Sequence, residues 1–326
     1  MRGIKLSSFL QWKLNIFFYL TLGWNMTRVL VFSLGKIYFF FNREEKNRIV
    51  NAVFEVVSRR KSNRNCRLVV KNVFKGILAH YYEKMFIAFE DPERATRFLR
   101  KSIQSRSLSV LNRKLAKGNG VIMVTGHYGA IEYVPTLLAV NGYPVSMIAR
   151  FNSKQLKEKA YSQAVKYDIK LIDAAETGGV IASAVRELRK NRIVITECDE
   201  IKQWKPSKSK SISFLGKTTG LDRTINVIHK RTHAKVVFGV IHRYSLKDYE
   251  LIMYSYEGIL RMMENATLPS VGETVLKFLE QCIYANPEQW YQWKNYSNIG
   301  LAPSSGTNGK TAVSLPLLKP GLARAS

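Results

Sequence analysis

The sequence predicts an α/β fold: a mostly parallel central sheet flanked by helices, with an N-terminal membrane-associated helical region. Three observations predict it. Apolar, strand-like runs alternate with segments of helical period between Val121 and Tyr284. The apolar run Val121–Val124 ends abruptly in Gly126-His127 before a new helical segment begins. The first 42 residues are rich in Leu, Phe, Trp and Tyr.

The N-terminal segment is not a simple membrane span. Lys13, Arg28 and Lys36 interrupt the apolar stretch from Phe9 to Phe41. Its longest uncharged part, Leu14 to Thr27, is shorter than the ~20 residues an easy spanning helix needs. Residues 1–42 therefore read as an interfacial helix or hairpin, with Trp12, Tyr19 and Trp24 near the headgroups and the basic side chains snorkelling. A tilted single span and a buried core helix are the alternatives. No small-residue cleavage site follows the apolar stretch, so a removed signal peptide is not expected.

Residues 43–300 read as one α/β domain. Arg43 to Arg106 is mainly helical and strongly basic, including Arg59-Arg60-Lys61 and the aromatic His80-Tyr81-Tyr82. The expected strands are Val121–Val124, Val145–Ala149, Lys170–Ile172, Ile193–Thr196, Val236–Ile241 and Leu251–Tyr254. The expected helices are Gln155–Tyr167, Gly179–Lys190, Leu221–Arg231 and Val271–Tyr284, with a further one from Ile131 onward. Ile201 to Ser211, dense in lysine (Lys202, Lys205, Lys208, Lys210), reads as a mobile surface loop. Residues 301–326, rich in Ser, Pro and Gly and lacking acids, read as a disordered tail.

Composition narrows the partners. Lys and Arg total 51 against 24 Asp and Glu, a net charge of +27. Such a field attracts nucleic acid, anionic lipid headgroups or an acidic carrier protein. Nucleic acid is disfavoured: there is no zinc-ligand cluster, no ribonucleoprotein-type aromatic motif and no obvious basic recognition helix. The three cysteines, Cys66, Cys198 and Cys282, are odd in number and widely spaced, so neither a disulfide framework nor a metal site is expected, and a reducing compartment is. Cys198 reads as a small buried thiol rather than a nucleophile.

The chemistry concentrates in Val121-Ile-Met-Val-Thr-Gly-His-Tyr-Gly-Ala-Ile-Glu132. His127 falls on the turn between a buried strand and a helix, where catalytic groups are common. Glu132 falls on the first helical turn, where a carboxylate suits the positive helix end and can approach the histidine. Imidazole titrates near neutrality, so the pair offers a general base with an orienting or charge-compensating partner. The other histidines, His80, His229, His233 and His242, lack an acid at that spacing. A histidine capping a surface turn is the alternative.

Gly126-His127-Tyr128-Gly129-Ala130-Ile131-Glu132 resembles the His-x4-Asp/Glu motif of glycerolipid-type acyltransferases, and the surrounding chain most resembles their lipid A biosynthesis branch, the late lauroyl/myristoyl acyltransferases. Further segments follow in the family's order. Met147-Ile-Ala-Arg150 resembles its strand ending in arginine, and Ile193-Val-Ile-Thr-Glu197-Cys198-Asp199 its strand ending in acid-x-acid. Phe214-Leu-Gly216-Lys217-Thr218 and Asn286-Pro-Glu-Gln-Trp-Tyr-Gln-Trp293 resemble its Phe-x-Gly and Pro-Glu-Gln segments, so the likeness covers roughly residues 5 to 300. Many relatives carry Asp-Gln-Asp at the acid pair and an aromatic-Gly-Asn-Trp-Glu histidine motif, departures that leave the acid-base pair intact and the acceptor open.

The resemblance implies transfer of a fatty acyl group from an acyl carrier protein or coenzyme A thioester to a hydroxyl of a membrane lipid. It implies a bacterial enzyme on the cytoplasmic face of the inner membrane, an anionic surface, with no cofactor or metal and no nucleic-acid partner. His127 is the expected base, Glu132 its partner, and Glu197 matches the acid that hydrogen-bonds the imidazole. Asp199 lies two residues on along the same strand face. Both acids reach His127 if their strands are neighbours. Arg150 or backbone N–H groups near Gly129 are expected to hold the oxyanion, with a surface salt bridge as the alternative for Arg150. Gly216-Lys217-Thr218 reads as part of an acceptor or carrier site, or as a hairpin turn. No Gly-x-Ser-x-Gly elbow supports a serine hydrolase. A non-catalytic basic protein binding membrane or nucleic acid is the other class.

Overall fold

The computed structural model describes residues 13–21, 23–58, 63–151, 154–175, 179–200, 206–263 and 270–300. The expected disordered tail, Arg59-Arg60-Lys61 and the lysines at 202 and 205 lie outside the described residues.

Helices α1 (Lys13–Thr21), α2 (Gly23–Phe41), α3 (Arg43–Val57) and α4 (Asn63–Phe89) open the chain. Thr27, Val31, Gly35, Tyr38 and Phe39 are buried along one side of α2 at helical spacing. That side rests on α4: Trp24 meets Tyr82 and Phe86 edge-on, with ring centres 6.0 and 5.0 Å apart. Asn42 starts α3 by accepting the Glu45 N–H at 3.2 Å, as an N-cap does. Helix α5 (Pro92–Ser102), strand β1 (Ile103–Gln104) and helix α6 (Leu108–Leu115) lead into the sheet. Among the described residues no helix is long and apolar enough to cross a membrane.

The α/β units follow in order: β2 (Val121–Thr125), a 3-10 turn (Ile131–Tyr133) running into α7 (Val134–Val140), β3 (Val145–Ala149), α8 (Lys154–Lys166), β4 (Lys170–Asp173), α9 (Val180–Arg189) and β5 (Ile193–Glu197). Then come β6 (Pro206–Phe214), β7 (Lys217–Asp222), α10 (Thr224–Thr232), β8 (Lys235–Ser245), β9 (Asp248–Ser255), α11 (Tyr256–Met262) and α12 (Val271–Ala285), with 3-10 turns at Pro287–Gln289 and Gln292–Asn298. Every residue of β2 is buried, as in a strand covered on both faces. Among the described residues the main sheet has seven strands in the order β1-β9-β8-β2-β5-β3-β4. All its pairings are parallel except the β8–β9 hairpin, so the expected mostly parallel sheet with flanking helices is what forms.

Two expectations are corrected. Most of the lysine-rich segment is strand, because β6 pairs antiparallel with β7. In its second half Ile212 and Phe214 are buried while Ser213 between them is exposed, a period of two that the lysine density hides. Leu221 does not begin a helix but sits near the end of β7, and the helix starts at Thr224.

The feature that builds the site is the register of β2 on β5, with Thr125 opposite Glu197. The chain leaves both strands at the same sheet edge, where parallel α/β sheets place their ligands. His127, two residues past Thr125, therefore meets Asp199, two residues past Glu197.

Candidate active site

Asp199 is fully buried and collects three donors. The His127 backbone N–H reaches its carboxylate at 3.0 Å, His127 Nδ1 lies 3.0 Å from Oδ1, and the Trp290 indole N–H donates to Oδ2 at 2.7 Å. With Asp199 accepting at Nδ1, Nδ1 keeps its proton, and the neutral ring has its lone pair on Nε2. Glu197 Oε2 and Glu200 Oε2 stand 3.3 and 3.5 Å from Nε2. Burial alone depresses the imidazole, but Glu197 and Asp199 outweigh it and hold His127 well above its ordinary range. Burial is also what pushes the Glu197 carboxyl up to about 7, with the Asp199 and Glu200 charges adding to it and His127 opposing.

Glu132 does not fill the place expected for it. Its Oε1 lies 3.3 Å from Lys84 Nζ and 3.8 Å from His80 Nε2, both on α4, and it makes no ion pair with His127. The carboxylate orienting His127 comes from across the sheet rather than from the next turn of chain. Glu132 holds the Lys84 ammonium above its usual range. Burial, reinforced by Lys84 and Arg243, keeps His80 well below its ordinary range and so neutral. Tyr291 bridges the two histidines: it stacks on His80 at 3.5 Å and meets His127 edge-on at 5.2 Å.

The loop after β2 is pinned from both sides. The Gly129 N–H donates to the Gln289 carbonyl and the Ala130 N–H to the Ile241 carbonyl, each at 2.9 Å, while the Tyr291 N–H donates to the His127 carbonyl at 3.2 Å. The Gly129 backbone has φ +59°, and a Cβ there would collide with the Ile241 carbonyl oxygen, so only glycine fits. The expected oxyanion donors near Gly129 are thus spent on the fold. Arg243 of β8 completes the clamp, donating through Nη2 to the Gly129 carbonyl at 2.9 Å and to Glu83 Oε2 at 2.6 Å. Glu83 is fully buried on α4, and its second oxygen accepts from Arg243 Nε.

Arg150 follows β3 at the same sheet edge, beside the Asp173 carboxylate and outside the His127 hydrogen bonds. Asp173 is held below the usual carboxylate range, first by its hydrogen bond from Lys157. The segment around Gly216-Lys217-Thr218 is a hairpin turn, with Leu215 and Gly216 both at positive φ between the paired Phe214 and Lys217. Its residues bind the protein itself. Phe214 meets Trp290 edge-on, Leu215 donates its N–H to Glu280, and Lys217 lies over the Tyr296 ring. Through Trp290 this turn supports Asp199. Cys198 is buried, which pushes its thiol well above the usual range, as expected of a packing residue.

The site is thus a buried carboxylate–imidazole pair at the carboxyl edge of a parallel sheet. The family model described as bacterial lipid A biosynthesis acyltransferase matches residues 17–295. The chain belongs to this family. A comparison with curated proteins gives no match. Membership in the bacterial lipid A biosynthesis acyltransferases makes the expected fold, the histidine turn and the acid-x-acid strand parts of one unit within the matched span. Sequence reasoning missed Glu83, Arg243, His80, Lys84, Trp290 and Tyr291 as site residues. The last two lie in the quoted Pro-Glu-Gln segment, where a signal existed; Glu83 and Arg243 are an ordinary acid and an ordinary base until the fold pairs them.

Proposed function

We propose that this acyltransferase moves a fatty acyl group from an acyl carrier protein or coenzyme A thioester to a hydroxyl of a lipid A-type membrane glycolipid, with His127 as general base. The observation carrying this reading is the Asp199–His127 pair, which fixes the tautomer and leaves Nε2 basic. Nε2 takes the acceptor hydroxyl's proton as the oxygen attacks the thioester carbonyl. The tetrahedral oxyanion then collapses, the carbon–sulfur bond breaks, and the imidazolium returns the proton to the leaving thiolate. Ester and free thiol are the products. Arg150, at the same sheet edge, is the oxyanion donor of this reading.

A seat on the cytoplasmic face of the bacterial inner membrane is part of the same proposal. Its support is the outer side of α1 and α2, where Phe17, Leu20, Met26, Val29, Ile37, Phe40 and Phe41 are exposed. The net charge of +27 suits anionic lipid and an acidic donor carrier. The test is mass spectrometry of a lipid A-type acceptor incubated with purified protein and acyl donor. A gain of one acyl chain, lost with His127→Ala, is the expected result. Salt-dependent nucleic-acid binding with no acyl transfer would replace this reading by the non-catalytic one.

A further inference from the structure

We propose that the Nε2 side of His127 is also a site for a divalent cation of the zinc type, held by His127, Glu197 and Glu200, and that its occupancy switches the base off. The binding claim rests on geometry alone; the switch rests on the acyl-transfer reading above. With Asp199 on Nδ1, Nε2 is the ring nitrogen left to face a cation. The His127 side chain is only 8% exposed. Two carboxylate oxygens face Nε2, Glu197 Oε2 at 3.3 Å and Glu200 Oε2 at 3.5 Å. The ligating atoms of the three residues all lie within 4.8 Å of one another.

The spacing selects among cations. Tetrahedral zinc, with bonds of about 2.0–2.2 Å, holds neighbouring ligand atoms roughly 3.4 Å apart. Both distances from Nε2 lie within 0.1 Å of that edge. Imidazole with two carboxylates also favours a zinc-type ion over magnesium or calcium, which prefer oxygen throughout. Asp199 supplies the outer carboxylate that fixes a metal-bound histidine, and Trp290 fixes Asp199. Glu197 and Glu200 keep 21% and 35% of their side chains exposed, so solvent reaches the site. A metal there occupies the lone pair that must accept the hydroxyl proton. Zinc-type ions are therefore expected to be reversible inhibitors.

The test titrates metal-stripped full-length protein in detergent with Zn²⁺ by calorimetry and with Co²⁺ by visible absorption. One saturable Zn²⁺ site per chain is expected, with the intense visible bands of tetrahedral Co²⁺. Glu200→Gln and His127→Ala are each expected to weaken binding about 10- to 100-fold. Acyl transfer by the wild type should fall with zinc occupancy and return with chelator, while Glu200→Gln should need about tenfold more zinc or more for the same loss. Absence of saturable binding, or binding that both variants leave unchanged, overturns the site. Zinc bound at His127 with transfer undiminished overturns the switch. No transfer by the zinc-free wild type would instead count against the acyl-transfer reading and leave the binding measurement standing.

Discussion

At the scale of single residues, His127 depends on which side of its ring the proton occupies, and Asp199 decides that. Asp199→Asn can donate where the carboxylate only accepts, so it favours the wrong tautomer. It is expected to lower kcat by roughly 10²- to 10⁴-fold with KM little changed, measured in steady-state transfer assays. The pH profile tests the surrounding acids. His127 is held well above its ordinary range, so kcat/KM should rise with pH along a limb displaced upward from that of a free imidazole, and Glu197→Gln should move that limb to lower pH. Stability runs the other way. Both His127 and Glu197 bind their protons more tightly folded than unfolded. Their contribution is complete at acid pH, below the unfolded Glu197 value of 4.5. It is lost as pH rises, through about 7 for Glu197 and through the raised folded value of His127. Glu132 acts at one remove. Glu132→Ala leaves the Lys84 charge to Glu197, which already lies within its field, so transfer should fall sharply and Lys84→Met in the same chain should restore part of it. The histidine was legible because strand, Gly and His stand side by side in sequence. Its partner was misread because spacing along the chain shows only what the next turn can reach, whereas Asp199 arrives by register from a neighbouring strand.

At the scale of elements, the site is held by contacts that no local pattern announces. The strands and helices of the parallel sheet were legible from apolar runs and period, and the β2–β5 adjacency was the one condition needed to bring the acids to His127. Hairpin β6–β7 was legible at its turn, where Gly216-Lys217-Thr218 offered one, but not in β6, because lysine and serine at alternate positions imitate a solvated loop while Ile212 and Phe214 carry the packing. The Glu83–Arg243 pair spans α4 and β8, and nothing in either segment points to the other. Its side chains are 0% and 7% exposed, so removing one partner strands a buried charge. Arg243→Ala is expected to cost about 3–5 kcal/mol in denaturant unfolding. Because Arg243 also holds the Gly129 carbonyl, Arg243→Lys, which keeps the charge and loses the fork, should lower kcat more than its smaller loss of stability explains.

At the scale of the whole molecule, α2 is apolar on two sides. Thr27, Val31, Gly35, Tyr38 and Phe39 face inward, while Met26, Val29, Ile37, Phe40 and Phe41 are exposed at helical spacing on the other side. Water disfavours such an outer face, and a bilayer interface does not. Burying one large apolar side chain contributes roughly 1.5–3 kcal/mol. Each basic residue close to an anionic surface adds about 1 kcal/mol, a part that salt screens. Ile37 and Phe40 are 48% and 64% exposed, so changing them leaves the α2–α4 packing intact. Ile37→Glu with Phe40→Glu therefore removes about 2–3 kcal/mol of apolar attraction, a loss of roughly 10- to 10²-fold in partitioning. Co-flotation with phosphatidylglycerol-containing vesicles reads the loss directly, and the circular dichroism spectrum should not change. Wild-type protein should float better on anionic than on neutral vesicles at low salt, with the difference shrinking as salt rises. Flotation of the double variant equal to that of wild type on anionic vesicles would remove α2 as the docking face and leave membrane attraction to the basic surface alone.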